Sequence, residues 1–237
     1  MLKNLDFNTR PSIVHAQGPH NHKPYWQPIR DHFFSSEQKK IDVPANLTII
    51  TWNNGHEAMG VFEKSIAHLG LDCVILGDGI ENWVNSIHKP MLTNEALQHI
   101  KTEYIMGVDS RDAILIDNPQ LIIDQFLENF NCDLVFSADL LNWPNLAEFK
   151  KFEDKCAEGK NSAYRYLNSG AFIGRTEYCR HFFGEAVKLQ PVKQAEKSDQ
   201  GIFKQLFQTE YPRVQLDYHC VMFQNIGFVR HKSLEIY

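Results

Sequence analysis

The sequence predicts a single α/β domain in which helices cover a parallel sheet. From Leu47 onward, short apolar runs alternate with amphipathic runs, which is the pattern of buried strands followed by covering helices. The chain has 237 residues, of which 43% are hydrophobic and 22% charged, close to the averages of soluble globular proteins. It contains no internal repeat, low-complexity tract or Gly/Ser linker that would divide it. We therefore expect residues 47–237 to form one layered core.

The first half of this core alternates strands with helices. Short apolar runs predict three strands: LTIIT (47–51), DCVILG (72–77) and EYIMGVD (103–109). Between the first two strands, Met59, Phe62, Ile66 and Leu69 recur at helical spacing, and Gly70 ends that helix. Residues 91–101 (MLTNEALQHIK) predict the next helix.

The second half continues the same alternation. Strands are predicted at CDLVFSAD (132–139), YLNSGAFIG (166–174) and RVQLDY (213–218). Helices are predicted at PQLIIDQFLENF (119–130), where Pro119 occupies a favoured first-turn position, and near 176–189 and 199–208.

Residues 1–46 differ from the core in composition. They are rich in Pro, His and Asn and show no sustained helical or strand period. We therefore predict an ordered loop arm over 1–46. We expect the core from 47 to 237 to fold when residues 1–26 of the chain are removed.

Charge and apolar content exclude several partners. The formal net charge is −5, with 24 Lys and Arg against 29 Asp and Glu scattered along the chain, so no basic field exists to attract a nucleic acid. No stretch approaches the roughly 18 apolar residues of a membrane span, and the start of the sequence lacks the apolar segment of a secretory signal. We expect a cytoplasmic setting, in which the five cysteines stay reduced.

Two carboxylates follow the third predicted strand. Asp109 and Asp112 lie three residues apart in GVDSRDAIL (107–115), a DxxD motif at the edge of the sheet where α/β proteins bind ligands. Both can reach one Mg²⁺ or Mn²⁺ ion whose shell diphosphate oxygens complete. The alternative is that Asp109 caps the next turn and Asp112 faces solvent.

A short loop in the arm contains three further residue types that suit a diphosphate. In HAQGPHNHKPYW, the imidazole of His15 can ligate Mn²⁺, Gly18 allows close approach of backbone N–H groups, and Lys23 can neutralise a leaving diphosphate. The alternatives are a histidine-rich surface loop, or an adventitious zinc cluster that includes His20 and His22.

This loop is similar to the HxxGxxKPW signature of glycosyltransferase family 8. In that family the histidine ligates the metal, and the glycine and lysine contact the diphosphate of UDP. The resemblance therefore assigns metal ligation to His15 with Asp109 and Asp112, and diphosphate contacts to Gly18 and Lys23.

Residues 47–226 resemble the glycosyltransferase domain of the collagen lysyl hydroxylases still more closely. The segments that carry this likeness occur in the family's order: GVDSRDAIL, LVFSADLLNWPN (134–145), YLNSGAFIG, SDQGIFKQLF (198–207) and LDYHCVMFQNI (216–226). Arg111 stands where the family has a nucleotide-contacting tyrosine, and only Asp199 survives where the family has several consecutive aspartates. The largest departure is that the family's histidine-glycine-lysine loop follows its last strands, whereas here it precedes the first.

The resemblance implies a single GT-A (Rossmann-like) nucleotide-diphospho-sugar transferase domain, with a mixed sheet, helices on both faces and an apparent circular permutation. It implies transfer of a hexose from UDP-galactose or UDP-glucose, dependent on Mn²⁺ or Mg²⁺ and with retention. The acceptor, whether glycan, glycosylated protein or small molecule, is unknown. Because a site built from loops does not depend on chain order, we expect the arm to fold back onto Asp109 and Asp112, within one chain or onto a neighbour.

Several other residues are candidates for donor contacts or catalysis. The resemblance makes Asp199 a base or sugar ligand and places Trp143 over the sugar. We assign catalytic roles to Asp199, Gln200, Asn168 and Lys23, and donor contacts to Gly18, Lys23, Thr51, Trp83, Lys89, Arg111 and Trp143. Trp83 is expected to stack on uracil and Lys89 to pair with phosphate.

Each of these assignments has a structural alternative. Asp199 can be a helix N-cap, Trp83 an edge aromatic and Lys89 a solvated lysine. Asp217 and His219 share a strand face and either line the site or are satisfied polar groups. At the level of function, the alternatives are a catalytically weak UDP-sugar-binding protein and, less favoured, a metal-dependent phosphatase or nucleotidyltransferase.

Overall fold

The described part of the chain is organised around a six-stranded mixed sheet. The structure is a computed structural model that describes residues 2–18, 23–37, 40–56, 59–229 and 232–237. Its strands are β1 (Leu2–Asn4), β2 (Ile13–His15), β3 (Leu47–Trp52), β4 (Val74–Leu76), β5 (Tyr104–Asp109), β6 (Ala113–Leu115), β7 (Leu134–Asp139), β8 (Tyr166–Arg175), β9 (Val214–Asp217), β10 (Phe223–Asn225) and β11 (Leu234–Ile236). Its α-helices are α1 (Trp26–Ser35), α2 (Val61–His68), α3 (Asn85–Leu97), α4 (Pro119–Asn129), α5 (Ala147–Cys156), α6 (Thr176–Ala186) and α7 (Gln200–Glu210).

The strand order places several strand ends at one edge of the sheet. The order is β4-β3-β5-β8-β7-β9, and only β8 runs antiparallel to its neighbours. The carboxyl ends of β3, β5, β7 and β9 therefore meet the amino end of β8 at the same edge. This is the edge at which open α/β sheets bind ligands.

Helices pack on both faces of the sheet, so the α/β class is confirmed, and the antiparallel β8 makes the sheet mixed, as the family resemblance implied, and not wholly parallel. On one face, the ring of Tyr104 in β5 lies 6.0 Å from that of Phe126 in α4. On the other, Phe172 in β8 pairs across from Gly107 and lies 5.2 Å from Phe183 in α6. Tyr104 and Gly107 point to opposite faces because side chains alternate along a strand. None of the helices in the described ranges combines the length and the apolar character of a membrane span.

The amino-terminal arm is part of the fold, contrary to the predicted loop. β2 is the central strand of a second sheet, parallel to β10 and antiparallel to β6, and β1 pairs antiparallel with β11. The arm also contains α1, which buries Ile29 and Phe33 one turn apart. Strands of three residues are too short to show a period in the sequence, which explains why they escaped prediction.

This integration argues against the expectation that the core folds without residues 1–26, which stays a prediction. Ile13 and Val14 are fully buried, and their strand hydrogen-bonds on both sides. Removing it would open a gap in the core and leave the backbone groups of β6 and β10 unpaired.

The core elements follow the predicted order, with several differences. α3 begins at Asn85, six residues before the predicted start at 91, and contains Pro90. α5, β6, β10 and β11 were not predicted. α5 buries only Phe149, Glu153 and Cys156 in a sequence dominated by charged residues, so its apolar stripe is weak.

We predict that the arm contributes to global stability. Ile13→Ala should lower the free energy of unfolding by about 2–5 kcal/mol, because it leaves a cavity in a fully buried site. Leu5→Ala, in the same arm but at a side chain that is 46% exposed, should change it by less than about 0.5 kcal/mol. Urea denaturation of both variants measures the difference, and equal effects would show that the arm is only appended to the core.

Candidate active site

Three side chains with metal-binding atoms meet at the carboxyl edge of the sheet. Asp109 ends β5, Asp112 precedes β6 and His15 ends β2. The Nε2 atom of His15 lies 3.4 Å from Oδ1 of Asp112 and 3.7 Å from Oδ2 of Asp109. One ligand atom from each of the three lies within 4.8 Å of the others, which makes this group a candidate cation site.

Strand pairing brings the arm to the two aspartates. In the antiparallel register of β2 with β6, His15 lies opposite Ala113. The N–H of Ala16 then donates to the carbonyl of Asp112 over 2.7 Å. The arm therefore folds back onto Asp109 and Asp112 within the same chain, and the expected proximity is confirmed.

Asn225 fixes the orientation of the His15 ring. Its Nδ2 donates to the carbonyl of Ala138 over 2.7 Å, which turns its Oδ1 towards His15 Nδ1 at 2.8 Å. His15 therefore donates from Nδ1, and its Nε2 faces the carboxylates as a metal ligand would. A Cβ atom at Gly170 would lie 2.1 Å from Cε1 of His15, so the ring needs a glycine at that position.

The electrostatics of the three groups are coupled. Burial disfavours the charged imidazole, but Asp112 and Asp109 outweigh burial and raise the pKa of His15 to about 9. Burial raises the pKa of the Asp112 carboxyl, but the interactions with His15, Lys23 and Lys89 outweigh burial and lower that pKa below its ordinary value. Without a metal ion, the protonated His15 ring therefore supplies the positive charge that balances the two carboxylates.

Lys89 joins this cluster to Asp199. Its Nζ lies 2.7 Å from Oδ1 of Asp109 and 3.0 Å from Oδ2 of Asp199, and 4.5 Å from the ring centre of Trp52. Burial disfavours the ammonium, but the two carboxylates raise the pKa of Lys89 above its ordinary value. Lys89 is 2% exposed, so it is not a solvated lysine. It also donates to the carbonyl of Ser169 over 3.3 Å, and its pairing with a phosphate stays a prediction.

Asp199 occupies the N-cap position of α7 but makes no side-chain capping bond to that helix. Its carboxylate is 3% exposed and reaches Lys89 across the site. The capping interpretation is therefore wrong, and Asp199 belongs to the charged cluster.

An open cleft of about 650 Å³ lies beside the cluster. Four segments line it: Gly18 and Lys23 of the arm, Trp52, Asn53 and Asn54 after β3, Trp83, Asn85 and Lys89 around the start of α3, and Asp109, Ser110, Arg111 and Asp112 after β5. Gly18 has a φ of 79°, a left-handed conformation that favours glycine. Burial lowers the pKa of Lys23, while Asp112 acts in the opposite direction. Arg111 donates to Oδ1 of Asn54 over 3.3 Å at the cleft wall.

Two predicted donor contacts do not lie in this cleft. Thr51 is fully buried and donates to the carbonyl of Val108 over 2.7 Å, so it holds β3 to β5 and the assignment of a donor contact is wrong. The side chain of Trp143 is largely exposed and lies outside the cleft lining, while its carbonyl accepts a hydrogen bond from Gln200.

Asn168 and Gln200 are held in a buried network next to the cleft. Asn168 donates to Asp139 over 3.2 Å and accepts from the N–H of Gly170 over 2.9 Å. Gln200 Oε1 accepts from the N–H of Ser169 over 3.2 Å. Both amides thus hold the backbone at the amino end of β8, where the carbonyl of Ser169 accepts a hydrogen bond from Lys89 of the charged cluster.

The remaining alternatives resolve in different ways. Asp217 is fully buried and accepts from the backbone N–H groups of Val221, Met222 and Phe223, so it is a satisfied polar group. His219 contacts the carbonyl of Lys160 over 2.7 Å at the surface. His20 and His22, which the zinc-cluster alternative invoked, lie outside the described residues.

Sequence reasoning missed two residues that support the site. Asn225 lay inside a family-like segment but had no assigned role, because its contact with His15 depends on the pairing of β2 with β10. Glu63 was missed because it belongs to a predicted amphipathic helix, on which acidic residues usually face solvent. A sequence signal for Glu63 does exist, since it stands at the third helical position, where a carboxylate can reach back to the helix start.

The chain belongs to the PLOD GT domain family, whose model matches residues 43–236. This membership makes it a glycosyltransferase domain and confirms the resemblance on which the sequence-based assignment rested. It also accords with the GT-A fold type that the resemblance implied.

Several curated proteins share this region. Human procollagen-lysine,2-oxoglutarate 5-dioxygenase 2 is 25% identical over 210 residues, which cover 81% of this chain and 27% of the relative. The Drosophila melanogaster procollagen-lysine,2-oxoglutarate 5-dioxygenase is 32% identical over 142 residues, covering 57% of this chain and 18% of its own. The uncharacterized protein R699 of Acanthamoeba polyphaga mimivirus is 29% identical over 195 residues, which cover 75% of this chain and 40% of the relative. The chain thus spans 40% or less of the length of each of these relatives.

Among solved structures, the apo crystal structure of mouse xyloside xylosyltransferase 1 matches 85% of this chain and 82% of its own, with 13% identity and a TM-score of 0.41. The family membership rests on the sequence match over residues 43–236.

We predict that Asn225 supports cation binding through His15. Asn225→Ala should weaken Mn²⁺ binding by about 10–100-fold, as expected when the partner that orients a histidine ligand is lost. Electron paramagnetic resonance of free Mn²⁺ during a titration measures this affinity.

Gln224→Ala is the matched control, because Gln224 is the neighbouring buried amide of β10 and its side chain contacts Asn4, Tyr164 and the backbone carbonyl of Asn225, but not the imidazole of His15. This variant should lose stability but keep its Mn²⁺ affinity. Equal losses of affinity in both variants would remove the orienting role of Asn225.

Proposed function

We propose that this domain transfers a hexose, galactose or glucose, from a UDP-sugar to an acceptor in a reaction that depends on Mn²⁺ or Mg²⁺. The observation that carries the proposal is the convergence of His15, Asp109 and Asp112 at the cleft that Gly18, Lys23 and the two aspartates line. Family membership supplies the class of reaction. The arrangement supplies groups of the right chemistry for a nucleoside diphosphate and its cation.

The three side chains fit a hard divalent cation. Adjacent ligands in an octahedral shell with bonds of about 2.1 Å lie about 3 Å apart, close to the 3.4 and 3.7 Å that separate His15 Nε2 from the two carboxylates. One imidazole and two carboxylates leave positions for diphosphate oxygens and water. When bound, the cation would supply positive charge to a departing diphosphate.

The chain's own residues have separate tasks in this proposal. The Lys23 ammonium adds positive charge where negative charge develops on the leaving diphosphate. The backbone at Gly18 can approach phosphate oxygens closely because no side chain intervenes. Trp83 and Arg111 present flat groups on two different segments of the cleft lining, suited to holding a base.

Asp199 is the proposed contact of the hexose, and Lys89 orients it. The Lys89 ammonium lies between Asp109 and Asp199, so it joins the cation ligands to the sugar end of the site. Gln200 and Asn168 shape the adjoining strand end through their buried hydrogen bonds.

Retention at the anomeric carbon is proposed from the resemblance to glycosyltransferase family 8. The acceptor is proposed to be a glycan, a glycosylated protein or a small molecule, and the cytoplasmic setting stays a prediction.

A second candidate function is a UDP-sugar-binding protein with weak transfer activity. It is favoured by one observation: the Lys89 ammonium engages both Asp109 and Asp199, which reduces the capacity of Asp199 to act as a base. Donor hydrolysis separates the two candidates, since a weak transferase would bind UDP with Mn²⁺ but release little sugar.

We also propose that the site segments are circularly permuted relative to the lysyl hydroxylase domains. The family match starts at residue 43 and so excludes residues 1–42 of the arm. β1 pairs with β11 so that Leu2 lies opposite Ile236, which places the two chain ends side by side. Joining neighbouring ends and opening the chain elsewhere preserves a compact domain.

For the function, we predict that Asp112→Asn abolishes UDP-sugar turnover in a protein that stays folded. A neutral amide is a poorer ligand for a hard divalent cation than a carboxylate. In calorimetry, Mn²⁺-dependent UDP binding should weaken at least about tenfold, or about 1.4 kcal/mol. Asp124→Asn neutralises an exposed carboxylate on α4 and should bind like the wild type. Equal UDP affinity of the wild type with and without Mn²⁺ would refute the proposed site.

For the permutation, we predict that a chain with rearranged ends keeps its fold and its affinity for Mn²⁺–UDP. Residues 43–237, a linker of about four residues and then residues 2–42 should fold and bind Mn²⁺–UDP within about twofold of the wild type, because the joined ends are adjacent. A chain opened between Ala171 and Phe172 instead should lose cooperative unfolding, since β8 is paired on both sides there. Failure of the first rearrangement to fold would contradict the proposal.

A further inference from the structure

Glu63 is a buried carboxylate at the start of α2 that contacts two segments of the cleft wall. It is 4% exposed. Its Oε1 accepts hydrogen bonds from Asn53 Nδ2 over 3.0 Å and from Ser110 Oγ over 2.9 Å. Its Oε2 accepts from Asn53 over 3.2 Å and from the N–H of Gly60 at the start of its own helix.

The two segments that Glu63 joins belong to the cleft. Asn53 follows β3, and Ser110 lies between Asp109 and Arg111, so it is part of the turn that leads to Asp112. Both side chains are buried, and Asn53 also donates to Ser110 Oγ over 3.3 Å. The Glu63 carboxylate is therefore the shared acceptor of the loop after β3 and of the turn after β5.

Backbone packing reinforces the same connection. A Cβ atom at Gly60 would lie 2.0 Å from Oγ of Ser110, so α2 begins in direct contact with the turn. The N–H of Phe62 donates to the carbonyl of Ser110 over 2.9 Å. The start of α2 therefore contacts the turn through its backbone, and the Glu63 side chain bonds to the turn through Ser110.

We propose that Glu63 is a positioning residue that holds the turn carrying Asp109, Arg111 and Asp112 in register with Asn53 before a cation or nucleotide binds. This inference rests on the proposed function. Within the described ranges, Glu63 is not among the residues that line the cleft, and its carboxylate acts through Asn53, Ser110 and Gly60. Cation ligands bind tightly only when supporting hydrogen bonds fix their geometry in advance, and a buried donor that loses its acceptor shifts to find another.

Glu63→Gln tests this role with almost no change in shape. The amide replaces one acceptor oxygen by a donor, which must then face the N–H of Gly60 or the donors of Asn53 and Ser110. We expect the Kd for UDP in the presence of Mn²⁺ to rise at least about tenfold. In donor hydrolysis, the KM for the UDP-sugar should rise more than kcat falls. Ser110→Ala, which removes one hydrogen bond to Glu63 and the bond that Ser110 accepts from Asn53, should shift both quantities in the same direction by a smaller factor.

A second readout needs no ligand. In the free chain, amide hydrogen exchange should speed up in peptides spanning 50–56 and 107–115 of Glu63→Gln, and not in peptides from α6 or α7. The matched control is Asn118→Ala, which removes the N-cap bond to Gln120 at α4 and lies outside the cleft lining. It should lower stability without altering UDP affinity or exchange in these two peptides.

The outcomes separate the two proposals. A wild-type chain that fails to bind UDP with Mn²⁺ overturns the proposed function, and the exchange experiment then still decides whether Glu63 holds the turn. Wild-type binding that persists unchanged in Glu63→Gln and Ser110→Ala overturns the positioning role alone. Equal losses of UDP affinity in Glu63→Gln and Asn118→Ala also overturn it, because they would trace the effect to stability.

Discussion

The candidate site depends on the pairing of β2 with β6. This antiparallel contact places His15 opposite Ala113 and therefore beside Asp112, and it does so with main-chain hydrogen bonds that any short apolar strand can make. On its other side β2 pairs with β10, which supplies the amide that orients the imidazole. A three-residue strand thus decides both where the histidine lies and which of its nitrogens faces the carboxylates.

The charged cluster is nearly self-compensating before any ligand enters. Three carboxylates, Asp109, Asp112 and Asp199, share the Lys89 ammonium and the His15 imidazole, whose pKa is raised to about 9 by the acids beside it. A cation that binds His15 must displace its proton, so protons and metal compete for the same place. Lys89 has no such exchange to make, and its contact with Trp52 keeps it in place.

The sequence predicted the layered core well because its strands and helices are long enough to show their periods. β3, β5, β7 and β8 each bury most of their residues, and each appeared as an apolar run. The site was predicted in part, since His15, Asp109 and Asp112 belong to local motifs. Its supporting residues were not, because Asn225 and Glu63 act through contacts between segments distant in sequence. Thr51 was misassigned for a related reason: adjacency to a strand end does not reveal which face a side chain takes.

Gly170 gives this site a steric signature. The residue forms no side-chain bond, yet the ring of His15 occupies the space that its missing methyl group would fill. A homologue that kept both aspartates and the histidine but carried alanine at this place would have to move the imidazole or the strand beneath it. An alanine at this place would therefore mark a family member in which the imidazole does not take the position seen here, even where the histidine and both aspartates are kept.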